Sequence, residues 1–545
     1  MSSDPLNALI VWSDEEGTDA AVIKLLSFDK ESNVFIPVNT FLQISSDKDT
    51  WVLVVKEPNR NLPLGGLGRT DPRLTAAMRR VAAGKLEQSF LGSTVQMYVT
   101  EPIGMIVNGV ASPILYRPKD GLKAVKACEL NVTVALRLPK AKASNVIGHI
   151  DGTEIPVALN KRVIDHNAIV AGTIGSGKTE TVGRIVSVLN GFEANGTYPG
   201  HCVFMLDHKP DYQDLTSPND FGPDPAGFPE EVVQMWTLGD PKPGENVISI
   251  PFSEVNREFL LETCLFPGDS DDKQRAVFGL LFDAYAEDHK DQYWSLQDFM
   301  EWFNNTVTRE KNGGRELTEM GRGIFKGANV HQAILATAYK LPCRVPKWID
   351  RDNAGSSSIL KIQKKNYSNF LENSEVFQAG RINVINVTNC SSSEYAMFTV
   401  TLLNFQLKGR ASGKIEAWIA NIIDEAQDIF NGGESLRKIA VKAFEEITRK
   451  GRSKHVGSFF CVQAFTEIPD NIVNYCNTRI IMRHGAKPMA IKALEGNDYA
   501  AGQTTTFCPG DAFVRVYGSP TYVKARMLPS PFLISKEQNP EDYAE

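Results

Sequence analysis

Residues 166–179 read HNAIVAGTIGSGKT, and this stretch decides the fold of the chain. The apolar residues before Gly172 predict a buried strand, and residues 172–179 fit the phosphate-binding pattern GxxxxGK[ST] completely. Beyond the loop, apolar residues recur at the i, i+3, i+4, i+7 spacing of an amphipathic helix, at Val182, Ile185, Val186 and Leu189. A glycine-rich turn that matches by chance lacks this order of strand, loop and helix. The stretch therefore predicts a phosphate-binding unit.

The residue types in the loop suit a nucleoside triphosphate. Glycines let successive backbone N–H groups curl around a phosphate, and the start of the following helix adds a partial positive charge. Lys178 is expected to bridge the β- and γ-phosphates of ATP, and the Thr179 hydroxyl to ligate Mg²⁺. The predicted binding residues are Gly172, Thr173, Ile174, Gly175, Ser176, Gly177, Lys178, Thr179 and Glu180.

The composition is that of a folded globular protein. The chain has 545 residues, of which 42% are hydrophobic and 23% charged, and 58 Lys plus Arg against 65 Asp plus Glu give a net charge of −7. This length suggests about three or four structural units. The balance excludes a mainly disordered chain and one that is basic all over, while leaving room for a basic patch. No export signal or membrane segment is apparent, and eight scattered cysteines without a Cys-x-x-Cys pair indicate reduced thiols in a cytosol.

The pattern of apolar residues divides the chain into five parts. Residues 1–144 carry short β-branched segments and predict a small N-terminal β-barrel or sandwich, with one helical stretch at 74–88. Residues 145–254 and 376–525 alternate buried strands with helices and predict an α/β core with a mainly parallel sheet. Residues 255–375 predict a helical insertion between these halves, and 526–545 a C-terminal tail. The strands predicted in the N-terminal part are 8–12, 21–28, 34–38, 51–55, 95–99 and 132–138, and those in the core 168–171, 203–206, 382–387, 418–423, 457–461 and 478–482.

Two acids follow the predicted strand 418–423. In open parallel sheets, ligands bind beyond the carboxyl ends of the strands. Asp424 is therefore expected to hold Mg²⁺ through water, and Glu425 to orient and activate the attacking water. An acidic pair after a strand also caps helices, but the phosphate-binding loop favours the catalytic interpretation.

Further polar residues lie at the ends of other predicted strands and of one predicted helix in the core. Gln463 is a candidate to hydrogen-bond the γ-phosphate or its water. Asp207 is a candidate to ligate Mg²⁺ through water or to contact a neighbouring subunit. For both, the alternative is an ordinary polar residue at a strand end. Arg449 and Arg452 close the helix predicted over 435–448, where cations are also favoured by the helix dipole.

These pieces together resemble the HerA-like branch of the HerA/FtsK superfamily of ring-forming P-loop ATPases. The family order is matched by residues 147–149, 155–157, 166–179, 424–430, 451–457, 463, 476–481 and 509–512. The chain departs from the family at Gln427, which replaces a His and is assigned no chemistry. It departs again at 207–212, where DHKPDY stands in place of Asp-Pro-His-Gly-Glu-Tyr, and at Glu180, where a small or amide residue is usual.

The resemblance implies more than the residues themselves indicate. It implies a RecA-like core, a homohexameric ring and ATP hydrolysis between subunits, with Arg452 and Arg449 reaching a neighbour's γ-phosphate as arginine fingers. It also implies transport of double-stranded DNA in a bacterial or archaeal cytoplasm, with a nuclease or a sirtuin-like effector as partner, in DNA end processing or anti-phage defence. The alternative function is an ATPase ring that scaffolds and switches a nuclease with little DNA transport of its own. A coupling ATPase of a secretion or conjugation apparatus usually has a membrane anchor, which the sequence does not show.

Two basic clusters are candidates for contact with DNA phosphates. One comprises Arg309, Lys311, Arg315, Arg322 and Lys326, and the other Lys361, Lys364 and Lys365 with Tyr367. A solvated charged loop is the alternative for both. No base-reading motif is present, so the expected contact is independent of DNA sequence.

Overall fold

The structure is a computed structural model, and it describes most of the chain. The described residues are 9–12, 23–27, 36–56, 60–63, 94–114, 116–119, 122–191, 200–220, 226–265, 272–290, 292–311, 314–325, 341–351 and 370–534. Strands and helices are numbered below in chain order within these residues. The predicted helical stretch 74–88 lies outside them.

The N-terminal strands form an antiparallel barrel. They are β1 (Leu9–Trp12), β2 (Ile23–Ser27), β3 (Phe41–Ser45), β4 (Asp49–Val55), β5 (Arg60–Pro63), β6 (Thr94–Val107), β7 (Val110–Ser112) and β8 (Lys123–Lys126). Strands β1, β2, β6, β4, β3 and β8 pair in this order, and β8 pairs again with β1, which closes the ring. Side chains alternate along β4 as a strand requires. Trp51 and Leu53 belong to the barrel interior, whereas Val52 and Val54 pack towards the α/β core.

The strand predicted at 132–138 is wrong. Residues Glu129–Ala135 form a helix, α1, whose buried side chains are Val132 and Ala135. These two positions lie three apart, and Ala135 faces Gly104 of β6, where an added Cβ would lie 3.0 Å from the Cβ of Ala135. Packing on the barrel outweighs the preference of β-branched residues for strands, because that preference is weak and depends on context.

The core is one large sheet. Its strands are β9 (Val146–Ile150), β10 (Pro156–Ala158), β11 (Ala168–Ala171), β12 (Cys202–Asp207), β13 (Val233–Thr237), β14 (Asn246–Val247), β17 (Ile382–Asn386), β18 (Ile419–Ile423), β19 (Val456–Val462), β20 (Thr478–Ile481), β21 (Asp511–Arg515) and β22 (Val523–Met527). Their spatial order is β10-β9-β22-β21-β20-β11-β19-β18-β12-β17-β13-β14. From β20 to β14 all neighbours run parallel, and the remaining pairs are antiparallel. The six core strands predicted from the sequence are all confirmed to within one residue at each end.

Helices cover both faces of this sheet. After α1 they are α2 (Lys178–Asn190), α3 (Arg257–Leu260), α4 (Asp272–Asp288), α5 (Leu296–Trp302), α6 (Glu319–Phe325), α7 (Leu341–Arg344), α8 (Ser392–Ser412), α9 (Gln427–Phe430), α10 (Glu434–Lys454), α11 (Asp470–Val473), α12 (Lys487–Ile491) and α13 (Asp498–Thr504). Helix α10 runs six residues beyond the helix predicted over 435–448, so Arg449 and Arg452 belong to its last turns. None of the helices in the described part of the chain is long and apolar enough to cross a membrane.

The segment between β14 and β17 is packed onto the sheet. Its helices α3 to α7 are accompanied by a hairpin, β15 (Thr308–Lys311) and β16 (Gly314–Leu317), that the sequence did not predict. Phe252 lies against Trp294 and Phe299, and all three belong to the same buried cluster as the strands of the sheet. The segment is thus continuous with the core of the protein.

The folded core extends farther towards the C-terminus than the sequence predicted. Strand β22 extends to Met527, and Phe532 and Ile534 beyond it are buried. The described part of the predicted tail, 526–534, is therefore part of the folded core.

Candidate functional site

Four neighbouring strands of the sheet end in the polar residues singled out from the sequence. Strand β11 leads into the loop 172–177, β12 ends at Asp207, β18 leads to Asp424 and Glu425, and β19 leads to Gln463. Because β11, β19, β18 and β12 are adjacent and parallel, these residues meet at one edge. A binding site beyond the carboxyl ends of the strands is the arrangement expected for this type of sheet.

The loop before α2 has the backbone of a phosphate cradle. Gly175 and Gly177 have φ of +72° and +84°, a region that residues with a Cβ rarely occupy. The loop opens directly into α2 at Lys178, where the first N–H groups of a helix lack intrahelical partners. Within the described residues the Ser176 hydroxyl is buried without a hydrogen-bond partner. Together these groups present unpaired donors to an anion.

Arg483 clamps the same loop from the end of β20. Its guanidinium donates to the carbonyl oxygens of Ile174 and Gly175, each at 3.1 Å. Its own carbonyl oxygen accepts hydrogen bonds from the Thr173 N–H at 2.9 Å and the Thr173 hydroxyl at 3.1 Å. The sequence analysis did not identify this residue, although its position directly after the strand 478–482 was a signal that could have found it.

Glu425 is held near the loop by cations. Lys178 Nζ lies 3.8 Å from Glu425 Oε1, and Lys209 Nζ donates to the same oxygen at 2.5 Å. Burial raises the pKa of the Glu425 carboxyl, but the charge of Lys178 and the hydrogen bond from Lys209 outweigh it and leave the pKa below its ordinary value. The group therefore stays ionised.

Two amides complete the surroundings of Glu425. Gln463 Nε2 donates to Glu425 Oε2 at 3.1 Å, and the Gln427 amide donates to the same oxygen. The Gln427 Oε1 atom is buried without a partner within the described residues. Glu425 itself has a φ of +45°, which is rare for a residue with a side chain and marks the position as a constrained one.

Asp424 is buried beside this carboxylate. Burial raises the pKa of Asp424 to about 6, against the opposing charge of Lys178. Its backbone oxygen accepts a hydrogen bond of 2.6 Å from the Tyr395 hydroxyl. One buried carboxylate and the Thr179 hydroxyl suit Mg²⁺, which in nucleotide sites takes few protein ligands and fills its octahedron with phosphate oxygens and water.

Asp207 is engaged with its own loop. Its two carboxylate oxygens accept hydrogen bonds of 3.2 Å from the backbone N–H groups of Asp211 and Tyr212. Burial raises the pKa of Asp207 to about 7, and the neighbouring charge of Asp424 adds to this rise. In this geometry Asp207 shapes the turn after β12 and lies next to the metal-binding candidate Asp424.

Glu180 has its carboxylate turned away from the phosphate loop. Its Oε2 accepts a hydrogen bond of 2.9 Å from the Ser530 N–H. Burial raises its pKa. Its side chain therefore ties α2 to the C-terminal segment, and only its backbone remains available to the ligand.

Arg452 and Arg449 lie at the opposite edge of the sheet. Both are exposed in the last turns of α10, just before β19 begins at Val456. Burial lowers the pKa of His166, two residues before β11, and the charge of Arg452 lowers it further. The structure thus separates both arginines from the loop of their own chain.

Hydrogen bonds to the buried Asp165 anchor this arginine-bearing edge. Asp165 accepts a hydrogen bond from Arg162 Nε at 2.8 Å and lies 2.7 Å from His455 Nδ1. The His455 ring also stacks on Trp418 with ring centres 3.9 Å apart. The end of α10 is therefore fixed to the sheet on the side where Arg452 is exposed.

The first basic cluster is partly neutralised in the structure. Arg309 and Lys311 both pair with Glu316 across the hairpin, and Arg315 donates to Asn304 Oδ1 at 2.7 Å. Arg322 is exposed. Lys326 and the second cluster, Lys361, Lys364, Lys365 and Tyr367, lie outside the described residues.

Part of the chain matches a known protein family. A family model described as "Helicase HerA, central domain" matches residues 145–405. Curated proteins returned no match. Among solved structures, plasmid coupling protein TrwB in complex with the ATP analogue ADPNP is 12% identical over 73% of this chain and 92% of that chain, with a TM-score of 0.46. VirB4 of Thermoanaerobacter pseudethanolicus is 9% identical over 72% and 97%, also with a TM-score of 0.46. Both scores lie below 0.5, so neither similarity decides the function of this chain.

Proposed function

We propose that this chain, a HerA-like ATPase over residues 145–405, binds ATP with Mg²⁺ and cleaves the γ-phosphate with water. The main observation behind the proposal is the ion pair of Lys178 and Glu425, whose Nζ and Oε1 atoms lie 3.8 Å apart beside the glycine loop. A glycine-rich loop that opens into a helix, a lysine and an ionised carboxylate are the parts that phosphoryl transfer to water requires.

Each residue has a defined part in the reaction. The loop amides and Lys178 hold the β- and γ-phosphates. Glu425 accepts a proton from water while the water oxygen bonds to the γ-phosphorus and the bond to the ADP oxygen breaks. Gln463 orients the carboxylate or the water, since its amide lies 3.1 Å from Glu425 Oε2. Thr179, and Asp424 through water, would hold Mg²⁺, which would neutralise charge on the phosphates when bound.

The position of Arg452 supports a site shared between subunits. Arg452 lies at the sheet edge opposite the loop, so it reaches a γ-phosphate only when a second copy of the chain presents it. Such an arginine stabilises the charge of the transition state. A homohexameric ring, in which every site lies between two copies, is the assembly we propose, with Arg449 beside Arg452 at each junction.

We extend the proposal to transport of double-stranded DNA through the ring. A HerA-type helicase domain is the basis for this extension. In the first basic cluster, Arg322 is exposed and donates to the Leu317 carbonyl oxygen at 3.4 Å rather than to a carboxylate, which makes it a candidate for contact with a DNA phosphate. A nuclease or sirtuin-like effector docked on the N-terminal barrel completes the proposal, in DNA end processing or anti-phage defence in a bacterial or archaeal cytoplasm.

Phosphate release from ATP with and without linear duplex DNA tests this function. We expect DNA to raise the rate, and we expect the effect to fall steeply between 50 and 200 mM salt, about the range over which phosphate contacts lose strength. Hydrolysis that is indifferent to DNA at all salt concentrations would contradict transport and favour a ring that only scaffolds a nuclease. A chain without hydrolysis would contradict both.

A further inference from the structure

The loop after β12 places a second lysine on the catalytic carboxylate. Lys209 Nζ donates to Glu425 Oε1 at 2.5 Å, and Lys178 Nζ lies 3.8 Å from the same oxygen. Two ammonium groups therefore converge on one atom at the mouth of the phosphate loop. Lys209 stands at a position where the chain departs from its family, and nothing in its motif suggested a role.

The two lysines share one acceptor atom. Their ammonium groups repel each other at Glu425 Oε1, while Asp424 and Asp211 supply further negative charge around them. The side chain of Glu425 is 4% exposed and cannot move far, whereas that of Lys209 is 45% exposed and has a flexible four-carbon stem. Lys209 is thus the partner whose side chain can move to an anion of higher charge.

A γ-phosphate is such an anion, and it would enter at this position. It carries several charged oxygen atoms, each able to accept hydrogen bonds from an ammonium group. While both lysines engage Glu425 Oε1, that oxygen is not free to accept a proton from water. ADP lacks the γ-phosphate and offers Lys209 no replacement for the carboxylate.

We propose that Lys209 is a second triphosphate-binding lysine that passes from Glu425 to the γ-phosphate when ATP binds. The transfer frees Glu425 Oε1 to take the proton of the attacking water. With ADP, Lys209 stays on Glu425. This assignment rests on the proposed ATPase function. It means that Glu425 is released from Lys209, and so becomes able to act as the base, only when a γ-phosphate is present.

Binding of a non-hydrolysable ATP analogue and of ADP, each with Mg²⁺, tests the assignment by titration calorimetry. In Lys209→Met we expect the analogue to bind about 10- to 100-fold more weakly, the usual effect of losing a hydrogen bond to a charged group. ADP affinity should change less than about twofold, which also reports that the variant is folded. Lys209→Arg should restore most of the analogue affinity.

Lys492→Ala is the matched control. Lys492 is 46% exposed, close to the 45% of Lys209, but its carboxylate partner is Asp470 instead of Glu425. It should leave both affinities unchanged. Analogue affinity that survives Lys209→Met, or an equal loss of analogue and ADP, would overturn the role of Lys209. If the wild-type chain hydrolyses ATP in that case, the proposed function still stands, whereas a wild-type chain that binds neither nucleotide overturns both.

Discussion

Arg452 and Lys178 lie at opposite edges of the same parallel sheet. Lys178 follows β11 at the carboxyl edge, and Arg452 precedes β19 at the amino edge. Strands β11 and β19 are parallel neighbours, with Ala171 opposite Val462. Strand β19 has seven residues, so the two side chains are separated by about 20 Å along the strands. One chain therefore cannot bring both to the same phosphate.

Mixing two inactive variants tests whether copies of the chain share a site. Arg452→Ala should lower ATP hydrolysis by about 10³- to 10⁵-fold, the usual worth of an arginine finger. Lys178→Ala should abolish hydrolysis because the phosphates lose their main cation. In mixed assemblies, an Arg452→Ala chain supplies an intact loop and a Lys178→Ala chain supplies the arginine, so phosphate release should partly return.

The unmixed variants at the same total concentration are the control for this experiment. An absence of recovery at every mixing ratio, with mixed assemblies demonstrated by size, would show that Arg452 does not complete a neighbour's site.

Arg483→Met should weaken binding of all nucleotides to the same extent. The guanidinium holds the carbonyls of Ile174 and Gly175, and without it the loop loses the shape that aims its N–H groups at phosphate. We expect about a 10-fold loss of affinity for both ADP and an ATP analogue. The absence of discrimination between nucleotides distinguishes this effect from that of Lys209.

Arg322→Met is the control for Arg483, measured without DNA. Arg322 is an exposed arginine that also donates to a backbone carbonyl, that of Leu317 at 3.4 Å. The Arg322→Met variant should bind ADP and the ATP analogue with wild-type affinity. Wild-type affinity in Arg483→Met would show that the loop keeps its shape unaided.

Phe299→Ala should destabilise the whole chain by about 3–5 kcal/mol, the usual cost of removing a buried aromatic ring. Phe299 is fully buried and stacks on Phe282 with ring centres 4.8 Å apart. Because this cluster is continuous with the sheet, the loss should lower the midpoint of urea unfolding seen by tryptophan fluorescence. Leu280→Ala, at a position 41% exposed on α4, should change the midpoint little. An unchanged midpoint for Phe299→Ala would mean that the insertion unfolds apart from the core.

The sequence predicted the parts of the fold that local patterns specify. Strand β11 was predicted with its observed ends, since its apolar run is bounded by the loop at Gly172. The HerA-like resemblance is confirmed over 145–405. The helix at Glu129–Ala135 was missed because its β-branched residues favour a strand, and only packing on the barrel shows otherwise.

The supporting residues of the site could not be predicted in the same way. Lys209 meets Glu425 across 216 positions of sequence, and Arg483 meets Gly175 across 308. No local pattern encodes such pairs, because they arise from the order of strands in the sheet. The same order of strands explains why Arg452 lies far from the phosphate-binding loop of its own chain.

The central claim is that Glu425 activates the water that cleaves ATP, and Glu425→Gln tests it most directly. The measurement is Mg²⁺-dependent phosphate release, with Glu416→Gln, an exposed residue near the far end of β18, as the control. We expect Glu425→Gln to bind an ATP analogue like the wild type while releasing phosphate at least ~100-fold more slowly, as loss of a general base predicts. The control should keep wild-type rates. Phosphate release that persists at the wild-type rate in Glu425→Gln would contradict the account.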